Sequence, residues 1–205
     1  MQNFNDREID SFKIQFNKNY FGLFVDTNSI SFAAIPPGGI TDLKIFVDCN
    51  VNSDFTKLPS DKPPLVCEIG LKCSLDEYYF NVPILFCVLF IQSNNHLSED
   101  NYLAFWKKIT TTNDMCSTII NVYPTLKNSI NLENKFKNYS IYLIHKKENN
   151  DQTQLFFYAE ICNSQLALIC VYLNESNDVN IVCKCESPFL INHIMSSVKY
   201  LLVSE

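Results

Sequence analysis

Short runs of alternating apolar and polar residues, broken by turn residues, extend from residue 9 to residue 91. They predict strands at 9–16, 20–25, 29–35, 40–49, 65–73 and 78–90. Asn17-Lys18-Asn19, Pro36-Pro37-Gly38-Gly39 and the proline-rich stretch 59–64 stand between them. Such spacing predicts an antiparallel β-sandwich. In the last run Phe80, Val82, Ile84, Phe86, Val88 and Phe90 fall on one face. The other face begins with Tyr79 and Asn81 and ends with Leu85, Cys87 and Leu89. This run is expected to start at solvent and finish buried on both sides, as a strand entering a second lobe would.

After residues 92–97 the period changes. Ser98 is placed to cap a helix over Glu99–Lys108, with Glu99 and Asp100 at its positive end. Strands are predicted at 115–123, 140–146, 154–162, 165–173 and Val179–Cys185, with a short helix opened by Pro124 and carrying Leu126 and Ile130. Ser187 as N-cap and Pro188 at the first helical position open a terminal helix. Its stripe of Leu190, Ile194, Val198 and Leu201 should cover one sheet face. On strand 154–162, Leu155, Phe157, Ala159 and Ile161 point one way and Phe156, Tyr158 and Glu160 the other, so the second face is aromatic and suited to binding. The expected fold is α+β: a β-sandwich domain over 1–94, then a platform domain over 95–205 built as a five-stranded antiparallel sheet with flanking helices.

Composition narrows the function. The 205 residues carry a net charge of -6 with both signs mixed, so there is no basic stripe for nucleic acid. Nine cysteines, an odd number set mostly in apolar runs, favour a reducing compartment. The polar start MQNFNDREID has no apolar signal core. The apolar run 78–91 holds Asn81 and Pro83, and its 14 residues fall short of the roughly 20 a membrane-spanning helix needs. With four glycines there is no phosphate-cradling glycine motif.

Catalysis finds little support, because His96, His145 and His193 are scattered and no nucleophile sits in a local motif. Cys183 and Cys185 share a strand face but lack a second pair for a zinc site, so they read as core. His145, beside Lys146 and Lys147, reads as a solvated residue at a strand end. No metal or cofactor is expected. Trp106, the one tryptophan, lies in the last turn of its helix beside Lys107 and Lys108. Periodicity leaves it open between a plug joining helix to sheet, a place Phe105 or Leu103 can also fill, and an exposed anchor for a partner.

Phe12-Lys13-Ile14-Gln15-Phe16-Asn17-Lys18-Asn19-Tyr20-Phe21-Gly22, Tyr79-Phe80, Phe105-Trp106-Lys107, and Lys184-Cys185 through Pro188 and the closing helix together resemble the C-terminal appendage, or ear, of the beta-adaptin subunit of clathrin adaptor complexes. The resemblance runs from about residue 4 to the C-terminus. It implies an immunoglobulin-like sandwich followed by a platform, without enzymatic activity. It also implies capture of phenylalanine-containing motifs of accessory proteins, with clathrin a further candidate partner.

On the platform, Trp106 and Lys107 match the family's anchor directly. Its tyrosine falls on Phe156, an acidic residue near Asp114, and a second acid and an arginine on Cys170 and Tyr172. A second site on the sandwich matches Tyr79, with Lys72 a weaker neighbour. The resemblance further implies a cytoplasmic protein, peripheral on clathrin-coated vesicles and on plasma, trans-Golgi or endosomal membranes. Its contact with the membrane would be indirect, through the other adaptor subunits. The family's sandwich begins with strands preceding the position of Met1, so the first strands are expected to be missing or replaced by residues 1–8. The rival reading is a structural coat lobe that has lost peptide binding. Exposure of Trp106 separates the two.

Overall fold

The computed structural model describes residues 1–17, 22–25, 33–42, 46–49, 65–92, 97–109, 114–119, 121–149, 152–162, 165–174 and 178–204. The expected turn at residues 18–19, the first residues of the strands at 20 and 29, the stretch 59–64 and His96 lie outside them. The chain divides into two compact units, Met1–Lys57 with Leu65–Ile84, and Leu85–Glu205.

The first unit is antiparallel throughout its described strands. β1 (Lys13–Asn17), β4 (Leu65–Lys72) and β5 (Glu77–Ile84) form one sheet in the order β1-β4-β5, and β2 (Leu23–Val25) pairs with β3 (Val47–Cys49). The run expected from residue 9 is interrupted, because Ser11 takes a positive φ of 56° and Ile9 instead bridges Ile35. The apolar phase demands that break: Ile9 is odd-numbered, whereas Phe12, Ile14 and Phe16 are even. Gly39 closes a turn in which an added Cβ would meet the Pro36 carbonyl oxygen at 2.9 Å.

The strand expected over 78–90 stops at Ile84. Phe86–Leu89 forms a 3-10 turn, followed by the two-residue strand β6 (Phe90–Ile91). Phe86 and Leu89, three residues apart, are both buried, while Val88 is 55% exposed. A period of three has replaced the period of two. The turn belongs to the second unit: Phe86 stacks on His193 at 6.1 Å and the Cys87 amide donates to Ser197 Oγ at 3.2 Å. The division therefore falls at Ile84, ahead of the expected position at 94.

The second unit contains α1 (Glu99–Lys108), β7 (Asp114–Ile119), α2 (Ser129–Lys137), β8 (Ile141–Asn149), β9 (Gln152–Ile161), β10 (Leu166–Asn174), β11 (Val179–Cys185) and α3 (Pro188–Val203). Its sheet runs β9-β10-β11-β7, with β8 and β6 both pairing β9. The five expected strands are present, and β6 joins them. β7 ends at Ile119 rather than 123, and β8 continues past 146 to Asn149 with a bulge between Leu143 and His145.

One sheet face carries Leu155, Phe157, Ala159 and Ile161, all buried. Leu190, Ile194, Val198 and Leu201 of α3 are buried as their spacing predicts. Ser187 stands at the N-cap of α3 without a side-chain cap bond, so Pro188 alone marks the start. Helix α2 departs from expectation. Asn128 caps it by accepting from the Ile130 and Asn131 amides, Ile130 is 63% exposed, and Leu132 and Phe136 are the buried pair. Phe136 meets Phe157 at 4.9 Å.

This asymmetry sets an expected outcome in urea denaturation. Phe136→Ala should cost about 3–5 kcal/mol by leaving a cavity, whereas Ile130→Ala on the same helix should stay within about 0.5 kcal/mol.

Candidate functional site

Strand register assigns the residues of the sheet's other face to rows, because cross-strand partners share a face. Tyr158, Leu168, Lys184 and Asp114 form one row, Phe156, Cys170, Val182 and Cys116 the next, and Gln154, Tyr172, Asn180 and Thr118 a third. Helix α1 lies over the first row. Tyr102, 2% exposed, clusters with Ile109, Tyr158 and Leu168, and its hydroxyl donates to the Ile169 carbonyl at 3.4 Å. Burial raises its phenol pKa, so Tyr102 stays a neutral donor. The plug between helix and sheet is therefore Tyr102. Leu103, 48% exposed, does not fill that place, and Phe105 is only partly buried.

Trp106 is partly buried and lies beside the plug, its ring stacked on Tyr102 at 5.7 Å and 18°. Tyr102 also meets Phe156 edge-on at 6.1 Å, so a single buried ring links Trp106 to the second row. Tyr102 and Phe156, with Glu99, Leu103, Ile144, His145 and Lys147, line a cavity of about 230 Å³ between α1 and β8, of which Trp106 is not a wall. At its rim His145 Nδ1 is 3.2 Å from Glu99 Oε1. His145 is exposed as expected, but it sits within β8 rather than at its end, and it lines the cavity.

Of the expected platform residues, Lys107 is exposed next to Trp106 and makes no ion pair among the described residues. Phe156 and Tyr172 are partly buried. Burial, with the Cys170 thiol adjacent, pushes Tyr172 up to about 12. Cys170, on the same face between Phe156 and Val182, is 0% exposed. Asp114 opens β7 opposite Lys184, and its side chain lies outside the described atoms.

In the first unit, Tyr79 is 63% exposed and lies against Gly70, its register partner, where an added Cβ would meet the ring at 3.2 Å. Its hydroxyl donates to Glu77 Oε2 at 3.1 Å, and Lys72 donates to Glu77 Oε1. The Lys72 ammonium holds the Glu77 carboxyl below its usual value, and Glu77 raises both Lys72 and Tyr79. Lys72 and Tyr79 therefore share a face and a carboxylate. With Lys13, Gln15 and Gly70 they line a shallow cavity of about 350 Å³.

Residues 92–202 match the family described as beta2-adaptin appendage, C-terminal sub-domain, which is more than half of the chain. The chain belongs to the beta2-adaptin appendage family. It is similar to the AP-1 complex subunit beta of Dictyostelium discoideum, 26% identical over 197 residues. It is also similar to the AP-1 complex subunit beta-1 of Homo sapiens and of Mus musculus, 21% identical over 195 and 192 residues. These alignments cover 93–95% of the chain but 19–20% of the relatives, so the appendage spans about a fifth of the length of the curated relatives it matches. By family, an appendage is a protein-interaction module of vesicle-transport adaptors.

Sequence reasoning missed Tyr102 and Lys184 of the appendage. Tyr102 was legible as the residue four before Trp106, and Lys184 as a lone charge between two core cysteines. The cavity residues Leu103, Ile144 and Lys147 carry no such local signal. Among the described residues no group of three or more His, Cys, Asp or Glu is placed to hold a metal ion, and no helix is long and apolar enough to cross a membrane.

The eight cysteines whose side chains are described form no disulfide. Burial pushes the Cys170 thiol up to about 11, whereas Cys116, in the same row, is exposed. A thiol reagent at pH 8 should label Cys116 in the folded appendage and leave Cys170 unmodified until urea is added, as read by peptide mass mapping.

Proposed function

We propose that the appendage recruits accessory proteins of clathrin-coated vesicles by binding short phenylalanine- or leucine-containing peptides beside Trp106. The observation that carries this reading is the placement of Trp106: a large, partly exposed ring stacked on the buried Tyr102, whose own ring lines a cavity. Phe156 supplies a second aromatic wall, with Lys107 and Tyr172 at the margins and Asp114 on the same face. Cys170 and Tyr172, where the family has an acid and an arginine, make the floor more apolar. A preference for apolar over charged peptide ends follows.

In this reading the first unit is an immunoglobulin-like sandwich and the second the platform, and Tyr79 with Lys72 forms a second site for extended phenylalanine motifs. Each site is weak alone, and attachment depends on many such contacts acting together. The module works in the cytoplasm without catalysis. It reaches vesicle, plasma, trans-Golgi or endosomal membranes through the other subunits of its adaptor, with clathrin itself a candidate partner. A structural lobe without peptide binding is the second reading, favoured by the closure of the floor at Cys170.

Calorimetric titration with a phenylalanine-containing accessory peptide separates the readings. Trp106→Ala should weaken binding by about 2 kcal/mol, roughly thirtyfold, as loss of a hot-spot aromatic does, while Tyr79→Ser should leave the platform site unchanged. Equal binding by wild type and Trp106→Ala removes the platform site from the account.

A further inference from the structure

Helix α1 ends at Lys108. Its C-cap, Ile109, takes an extended conformation (φ -72°, ψ 118°). The Ile109 amide returns to the Phe105 carbonyl, and the last carbonyls of a helix have no partner within the helix itself. Lys184 supplies a donor to this end from the sheet. Its Nζ donates to the Trp106 carbonyl at 3.3 Å and approaches the Ile109 carbonyl at 3.5 Å. The same ammonium lies 4.9 Å from the centroid of the Trp106 ring. One cation therefore holds both the backbone and the ring of this one residue.

The placement is rigid. Lys184 is on β11, hydrogen-bonded between β10 and β7, with Cys183 and Cys185 on either side fully buried against the other face. A cation at the negative end of a helix and over an indole is favourable on both counts. Lys107 and Lys108 are closer in sequence but not equivalent. Lys108 pairs with Glu186 at 3.0 Å and Lys107 projects to solvent.

We propose that Lys184 is the positioning residue of the platform site: it clamps the C-terminal end of α1 and sets the pose in which Trp106 meets a peptide. The effect on binding rests on the recruitment reading above, whereas the effect on Trp106 does not. Trp106 is the one tryptophan of the chain, so its fluorescence reports the clamp in the absence of any peptide.

Acrylamide quenching and emission of the free appendage, together with affinity for the same phenylalanine-containing peptide, test the clamp. Lys184→Met should raise quenching of Trp106, shift its emission and weaken the peptide about tenfold, as loss of a helix-end cation and a cation–π contact does. Lys184→Arg should restore all three readings, and Lys108→Met should alter none. Lys184→Thr, too short to reach the helix but suited to a strand, replaces the methionine variant if that fails to fold. Unchanged quenching and emission in the Met or Thr variant overturn the proposal, as does failure of Arg to restore them. A wild-type chain that ignores the peptide while Lys184→Met still moves the tryptophan signal sinks the recruitment reading and leaves the clamp standing.

Discussion

An isolated helix of ten residues is marginal in water, so α1 depends on what it packs against. What it packs against is one row of the sheet, and the contact is made chiefly by Tyr102, with Ile109 and the partly buried Phe105 beside it. The Tyr102 ring is enclosed by apolar side chains while its hydroxyl reaches a backbone carbonyl, so burial leaves no polar atom stranded. The rest of the platform surface is placed by that seating. Trp106, one turn further on, is carried to the edge of the covered area, and Leu103 and Glu99 are carried to the rim of the adjoining cavity.

The sheet permits this because its two faces have different tasks. The face under α3 and α2 is mostly aliphatic, with Phe90 and Phe157 among its residues, and most of it is buried. The face under α1 is aromatic, and α1 is too short to cover it. Phe156, Tyr172 and Val182 remain partly accessible beyond the helix, while Cys170 between them is sealed. An apolar surface left half open in this way is costly in a monomer and is compatible with a partner. Lys184 adds a charge that stabilises the arrangement rather than competing with it.

Within the first unit the same logic appears in a simpler form. The polar face of β1-β4-β5 carries Lys13, Gln15, Lys72, Glu77 and Tyr79, and the opposite face carries Ile14, Ile69, Leu71 and Phe80. Tyr79 stays exposed because its partner across the ladder is a glycine that leaves room for the ring to lie flat, with Glu77 holding the hydroxyl.

Much of this was legible along the chain, for a local reason. Strand and helix periodicity is set by neighbouring residues, so the alternation on β9, the stripe of α3 and the Ser98 cap could be read directly; Ser98 Oγ accepts from the Asn101 amide at 3.3 Å as its position predicts. Two faces of opposite character on β9 already pointed to a covered side and a working side. Readings failed where a distant contact overrode the local pattern. The apolar run 78–90 alternates like a single strand, yet Phe86 and Cys87 are drawn against α3 and the chain turns into a 3-10 segment. Ile130 matched a helical stripe but faces solvent, because the packing direction of α2 is chosen by Phe157. Which residue plugs helix to sheet could not be read from the helix alone, since Leu103, Phe105 and Trp106 are equally apolar there; the sheet accepted Tyr102, with Trp106 partly buried beside it. Lys184, 78 residues from Trp106, reaches it only because the sheet folds β11 under the helix end. The order of elements and the character of each face were properties of the sequence alone, and the site itself was a property of the tertiary structure, because side chains far apart along the chain must share one helix end.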